Sequence, residues 1–264
     1  MNRTTIVTLR DKKKAGEKIA MLTAYDYPTA KILDESGVDI VLVGDSCGNV
    51  VMGRADTLSV TMDEMVHHTR MAALAVNSAM VVADMPFLSY QISPQEALRN
   101  AGRLIAEAGA QAVKLEGPVD KFGDSISAIL RAGIPVMGHL GLTPQSVNAF
   151  GGYKVQGRTV DARVRLKQEA RDLEEAGCFA IVLECIPADL ATEITEAASI
   201  PIIGIGAGAR CDGQVLVLHD ILGWGTTTFC KTFGDAKSVI AQACSNYVSE
   251  VKSGVFPAKE HEFE

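Results

Sequence analysis

The sequence predicts one (β/α)8 barrel domain spanning residues 1–264, and three observations carry that prediction. The first is length, because 264 residues match the roughly 250 of one complete barrel. The second is a repeated phrase, in which a helix-like stretch ends in a small residue plus glycine and an apolar run follows at once. The third is the character of those runs: they are apolar throughout rather than alternating, as strands covered on both faces must be.

The phrase appears as ESG-VDIVLVGD (35–45), EAG-AQAVKLEG (107–117), RAG-IPVMGHLG (131–141) and EAG-CFAIVLEC (175–185), with the variant AAS-IPIIGIGAG at 197–208. Gly37, Gly109, Gly133 and Gly177 stand where a helix commonly ends in a left-handed residue. Taken in order, residues 4–14 predict a helix covering the bottom of the barrel. The strands are predicted at 19–24, 39–44, 80–84, 112–116, 134–138, 180–184, 201–206 and 215–220. Among the helices between them, Thr61 to Glu64 and Ser93 to Glu96 have capping-box spacing, the second with Pro94 at the first helical position. Residues 161–176 and 187–198 have amphipathic spacing, and 235–253 predict an extra C-terminal helix. Alternation of strand and helix favours a parallel sheet with right-handed crossovers, and eight units favour closure over a doubly wound open sheet.

A net charge of −7 and a pI near 5.3 argue against nucleic acid and anionic membranes as partners, since both need a basic surface. The run Lys12-Lys13-Lys14 reads as a solvated helix face. The apolar stretches are shorter than the ~18–20 residues of a membrane span, and the N-terminal residues lack the pattern of a signal peptide. Cysteines at 47, 178, 185, 211, 230 and 244 form no C-x-x-C pair. The expectation is a reduced, cytoplasmic protein without disulfides or a zinc site.

Barrel enzymes carry their chemistry where the strands end, and here most strands end on a polar residue. Asp45-Ser46 follow the second run, Asp84 ends the third, Lys114 and Glu116 lie in the fourth, His139 follows the fifth, and Glu184 ends the sixth. Asp26 and Asp220 are explained as helix caps. Asp84 is not, because Met85-Pro86-Phe87 follow it. Lys114 and Glu116 are two apart, so they share one strand face. Asp45, Asp84 and Glu116 come from adjacent strands, and clustered carboxylates repel unless a cation lies among them. An all-oxygen set favours Mg2+ over zinc. Glu184 has no opposite charge near it in sequence, and a carboxylate in apolar surroundings gains the raised pKa of a general base. A salt bridge from another strand is the competing reading. The glycines at 204, 206 and 208 suggest a loop whose backbone approaches a ligand.

The segments GDSCGNVVMG (44–53), ADMPF (83–87), VKLEG (113–117), GHLGLTPQSVNAFGGYKVQGR (138–158), LECIP (183–187) and GIGAG (204–208) resemble those of the ketopantoate hydroxymethyltransferase family. The resemblance runs from about residue 4 to the C-terminus. It implies a cytoplasmic barrel that assembles into homo-oligomers, commonly decamers. It further implies transfer of a one-carbon unit from 5,10-methylenetetrahydrofolate to 3-methyl-2-oxobutanoate, giving 2-dehydropantoate in the first step of pantothenate synthesis. The metal ligands it implies are Asp45, Asp84 and Glu116; the ketoacid contacts are Asp45, Ser46, Asp84 and Lys114, with His139 lining the same site; the base is Glu184. The implied chemistry is a Mg2+-stabilised enolate. The alternative is another Mg2+-dependent, enolate-forming barrel of the phosphoenolpyruvate mutase and isocitrate lyase type. Two positions depart from the family pattern: Cys47 replaces the leucine of GDSLG, and 227–231 differs from a Pro-Lys-Phe-Val-Lys stretch.

Overall fold

The computed structural model describes residues 3–225 and 229–263. The chain divides into two compact units, residues 1–217 and 218–264. In the first, α1 (Ile6–Ala15) precedes β1 (Ile19–Thr23), α2 (Tyr27–Glu35), β2 (Ile40–Val43), α3 (Cys47–Val50) and α4 (Met62–Ala75). Then come β3 (Met80–Asp84), α5 (Pro94–Ala106), β4 (Ala112–Glu116), α6 (Val119–Arg131), β5 (Val136–Gly141), α7 (Val147–Phe150) and α8 (Val160–Ala176). The unit closes with β6 (Ala180–Glu184), α9 (Ala188–Ala197), β7 (Ile202–Ile205) and β8 (Gly213–Leu216). Among the described residues, eight parallel strands pair in sequence order and close into a barrel. The second unit holds α10 (Leu218–Ile221) and α11 (Ala236–Ser253). No helix of the described residues is long and apolar enough to cross a membrane.

The punctuation works as the residue types dictate. Gly37, Gly109, Gly133 and Gly177 all have positive φ, ending the helices that feed the following strands. The Thr61 hydroxyl accepts from the Glu64 N–H while Glu64 accepts from the Thr61 N–H, and Ser93 caps α5 with Pro94 in the first turn. Asp26 caps α2 by accepting from the Thr29 N–H at 2.9 Å. Asp220 is not a cap, because it lies inside α10. Two strands are shifted from their expected spans. Pro135 has no N–H for the ladder, so β5 starts at Val136 and carries His139 within it. Strand β8 begins at Gly213, where it pairs with Ile19. Residues 206–212, all described, join β7 to β8 without a helix.

The bottom is sealed by α1. Leu9 is fully buried against Ile19, Met21, Ile40, Met80 and Met137, which contributes ~1.5–3 kcal/mol for such a side chain. The lysine run is not merely a solvated face: Lys12 Nζ is 2.9 Å from Asp39 Oδ1 and Lys13 Nζ is 2.7 Å from Asp212 Oδ2. Asp212 fastens the closing seam. Its carbonyl accepts from the Ile19 N–H at 3.0 Å, and its Oδ2 accepts from the Ile202 N–H at 2.8 Å. Strand β1 meets β8 there over Ile19↔Gly213 to Leu22↔Leu216.

Candidate active site

Strand register sets the site. Asp84 on β3 pairs with Lys114 on β4, Glu116 with His139 on β5, and Gly141 on β5 with Glu184 on β6. All of these polar side chains lie toward the C-terminal ends of their strands. Asp45, Asp84, Lys114, Glu116 and His139 are buried, while the Glu184 side chain retains 15% exposure.

Their contacts form one continuous chain. Lys114 Nζ lies 2.9 Å from Asp84 Oδ1, and Asp84 Oδ2 accepts from the Asp45 N–H at 3.1 Å. On the other side Lys114 Nζ is 3.4 Å from His139 Nδ1, which is also 3.4 Å from Glu116 Oε1. His139 Nε2 reaches Glu184 Oε2 at 3.2 Å. The apolar surroundings expected around Glu184 are therefore incomplete: the partner is His139, supplied across the β5–β6 pair.

Burial and charge set the protonation states. Burial raises Asp45 well above the carboxylate range, and the neighbouring charges of Asp84 and Glu116 raise it further. Burial also raises Asp84, against the Lys114 charge. Burial opposes ionisation of Glu116 as well, but its bond to His139, the Lys114 charge and the Gln145 N–H hold it below its usual value. For Lys114, burial opposes the charge and Asp84, Glu116 and Asp45 outweigh it, so the ammonium is retained. For His139, burial and Lys114 oppose protonation; Glu116 and Glu184 prevail and push it up to about 9.

Ser46 starts α3 with no capping bond. Its Oγ is 2.8 Å from the Tyr25 hydroxyl, and Tyr25 is anchored by its carbonyl to His68 Nδ1 at 2.7 Å. A Cβ at Gly44 would lie 2.7 Å from Ser46 Oγ and 3.4 Å from Asp84 Oδ2, so only glycine lets this turn approach. Cys47 is buried below it, its thiol 3.7 Å from the Asp45 carbonyl and 3.9 Å from Met65 Sδ. It packs there without displacing Asp45 or Ser46. Of the other departing segment, residues 227 and 228 lie outside the described residues.

Three buried carboxylates on neighbouring strands offer only oxygen donors, a set suited to a hard divalent cation. Among the described residues, no three His, Cys, Asp or Glu side chains are already arranged as a metal site. Lys114 and the donors of Gln145 occupy the carboxylate oxygens.

Every side chain expected at the site falls within this network or, for Ser46, at its Tyr25-bound edge. Sequence reasoning missed Gln145, Tyr90 and the role of Tyr25. Gln145 stood inside the family-like segment 138–158, and nothing in its spacing marked a role. Two of the glycines expected to approach a ligand are also closely packed. A Cβ on Gly208 would meet Ala188 Cβ at 2.6 Å, and one on Gly204 would meet Cys211 Sγ at 2.9 Å.

Residues 3–259 match the family model described as ketopantoate hydroxymethyltransferase. A 3-methyl-2-oxobutanoate hydroxymethyltransferase of Syntrophomonas wolfei is 56% identical, covering 100% of this chain and 96% of the relative. One of Enterococcus faecalis is 54% identical, covering 98% of this chain and 95% of the relative. Among solved structures, phosphonopyruvate hydrolase in complex with oxalate and Mg2+ superposes with a TM-score of 0.63 at 13% identity, over 100% of this chain and 92% of that one. The 2,3-dimethylmalate lyase of the PEP mutase/isocitrate lyase superfamily gives 0.64 at 16%, over 99% and 89%. These structural likenesses establish a shared barrel.

Proposed function

Because the chain belongs to the ketopantoate hydroxymethyltransferase family, we propose that it passes a hydroxymethyl group from 5,10-methylenetetrahydrofolate to 3-methyl-2-oxobutanoate, giving 2-dehydropantoate. The observation that carries the residue assignment is the polar chain from Asp45 through Asp84, Lys114 and His139 to Glu184, with Glu116 joined at His139. At one end, buried carboxylates suit a cation; at the other, one carboxylate keeps access to solvent and substrate.

Asp45, Asp84 and Glu116 would hold Mg2+, which supplies Lewis-acid stabilisation of negative charge developing on the ketoacid. Ser46, fixed by Tyr25, presents its hydroxyl to the substrate carboxylate. Lys114 places fixed positive charge in a dry site, where it acts at little reorganisation cost. Glu184 accepts the C3 proton. His139, protonated and with Nε2 3.2 Å from Glu184 Oε2, sets positive charge beside the Glu184 carboxylate. The carbon left by that proton then attacks the folate-borne methylene as its bond to one folate nitrogen breaks, and water cleaves the bond to the other nitrogen, supplying the product hydroxyl and releasing tetrahydrofolate. The reading extends to a cytoplasmic homo-oligomer, with a decamer as the expected assembly. The mutase and lyase barrels share only the fold at 13–16% identity, and relatives above 50% carry the hydroxymethyltransferase name.

The test uses Glu184→Gln. The variant should bind Mg2+ and ketoacid while losing exchange of the C3 proton into deuterated water. Exchange at the wild-type rate rules out Glu184 as the base.

A further inference from the structure

Gln145 makes contacts that neither its neighbours in sequence nor the proposed chemistry demand. It is buried in a 3-10 turn, Pro144–Ser146, that follows β5. Its Nε2 donates to Asp45 Oδ2 at 2.8 Å and to the Met85 carbonyl at 2.9 Å. Its backbone N–H donates to Glu116 Oε2 at 3.0 Å. One residue thus grips two of the three carboxylates, from the turn after β2 and from β4, which are not adjacent strands.

The amide has one sensible orientation. A carbonyl oxygen and a carboxylate face one end and require the NH2 group there. At the other end, Oε1 lies 2.9 Å from the Tyr90 hydroxyl and accepts from Gln91 Nε2 at 3.2 Å. The Tyr90 hydroxyl also accepts from the Glu116 N–H at 3.1 Å and lies 2.9 Å from the Glu116 carbonyl. Tyr90 is 1% exposed, its ring set edge-on to Phe122 at 5.3 Å and its carbonyl bonded to Ser125 Oγ at 2.8 Å. The hub therefore rests on a buried ring packed edge-on against Phe122.

We infer that Gln145, braced by Tyr90, is a positioning residue that fixes the Asp45 and Glu116 carboxylates for a divalent cation. This rests on the reading of Asp45 and Glu116 as cation holders. Each carboxylate gives one oxygen to Gln145, and that bond sets the rotamer in which the other is offered: Oδ1 of Asp45 and, beside His139 Nδ1, Oε1 of Glu116. Without the side-chain amide, the Asp45 carboxylate must find its geometry from several rotamers each time a cation enters, while from Gln145 Glu116 keeps only the backbone N–H. Loss of such supporting bonds costs about 10–100-fold in metal affinity.

The experiment titrates Mg2+ alone, by calorimetry, into ketoacid-free wild type, Gln145→Met and Tyr90→Phe. Methionine keeps the length of the side chain and removes every side-chain hydrogen bond. Gln145→Met should bind Mg2+ about 10–100-fold more weakly, and Tyr90→Phe should show a smaller but measurable loss. At saturating Mg2+ the ketoacid KM of both variants should stay within about threefold of wild type, because general disruption of the site would raise it together with the metal constant. A folded Gln145→Met with a wild-type Mg2+ constant overturns the inference. If circular dichroism shows that variant unfolded, Tyr90→Phe decides in the same way, with an unaltered constant overturning it. Absence of Mg2+ binding by the wild type instead overturns the cation reading itself, and this inference with it.

Discussion

Gly141 lies beside Glu184 with φ at +91°, and replacing it with alanine should disable the site from behind. A Cβ built there lies 2.2 Å from the Glu184 carbonyl oxygen and 2.8 Å from Ile186 Cγ2. The contact partner is backbone, so it cannot swing aside. To restore even 3.0 Å, the end of β6 must retreat by most of an ångström. That movement stretches the bond from the Leu142 N–H to the Glu184 carbonyl, 2.8 Å in the native chain, worth about 0.5–1.5 kcal/mol. Left-handed strain on a residue with a Cβ adds roughly 1–2 kcal/mol. Together they predict a loss of about 1.5–3.5 kcal/mol, a fall of ~3–14 °C in Tm for a chain of this size. Misplacing a reacting group by about 1 Å costs on the order of 100-fold in rate. The C3 proton exchange, followed by NMR in deuterated water, should fall by about that factor. Gly133→Ala is the control, since its φ is +81° but a Cβ there meets nothing within 4 Å. It should lose about 1–2 kcal/mol and exchange normally. If Gly141→Ala exchanges as fast as Gly133→Ala, the carbonyl contact does not position Glu184.

Asp84→Ala should weaken Mg2+ and ketoacid binding together, since Asp84 joins the Asp45 turn to Lys114; unchanged calorimetric titrations of both would refute its place in the site. His139 gives a pH signature in metal-free protein. Its folded pKa of about 9 stands above the ordinary 6.5, so the folded chain holds the proton more tightly than the unfolded one. The resulting stability, up to about 3 kcal/mol, is complete below pH 6.5 and disappears as pH rises through 9. Urea midpoints of wild type and His139→Asn at pH 6 and pH 10 should therefore converge at the alkaline end, and a constant gap would refute the assignment.

Much of this site was legible because it depends on local periodicity. Lys114 and Glu116 share a strand face by period alone, and the apolar runs placed Asp84 and Glu184 at strand ends. What was not legible depends on register between strands far apart in sequence. The pairing of Glu184 with His139 requires β5 to extend past Gly138, which its apolar pattern did not signal. Gln145 is reached only through four elements that converge in space, and its own dipeptide, Pro144-Gln145, resembles any turn. The missing helix between β7 and β8 was obscured for another reason. Glycines at 204 and 208 gave no sign of their packing, which depends on the positions of Cys211 and Ala188.

The seam fastened by Asp212 has a consequence for where this barrel breathes. In a ring of eight sequential strands, the β1–β8 joint lies opposite the β4–β5 joint that carries Lys114, Glu116 and His139. Closure there joins residues nearly two hundred positions apart, so on the ribosome it must await the end of the barrel, whereas the chemistry-bearing strands β2 to β6 are synthesised together. Local opening is drawn from the least secured part of a structure, and in this barrel β7 and β8 lack an intervening helix. Amide exchange that begins between β7 and β8, which share only two register pairs, would leave the β4–β5 wall paired. The fold thus separates the joint where the ring is closed from the wall where the reaction is run.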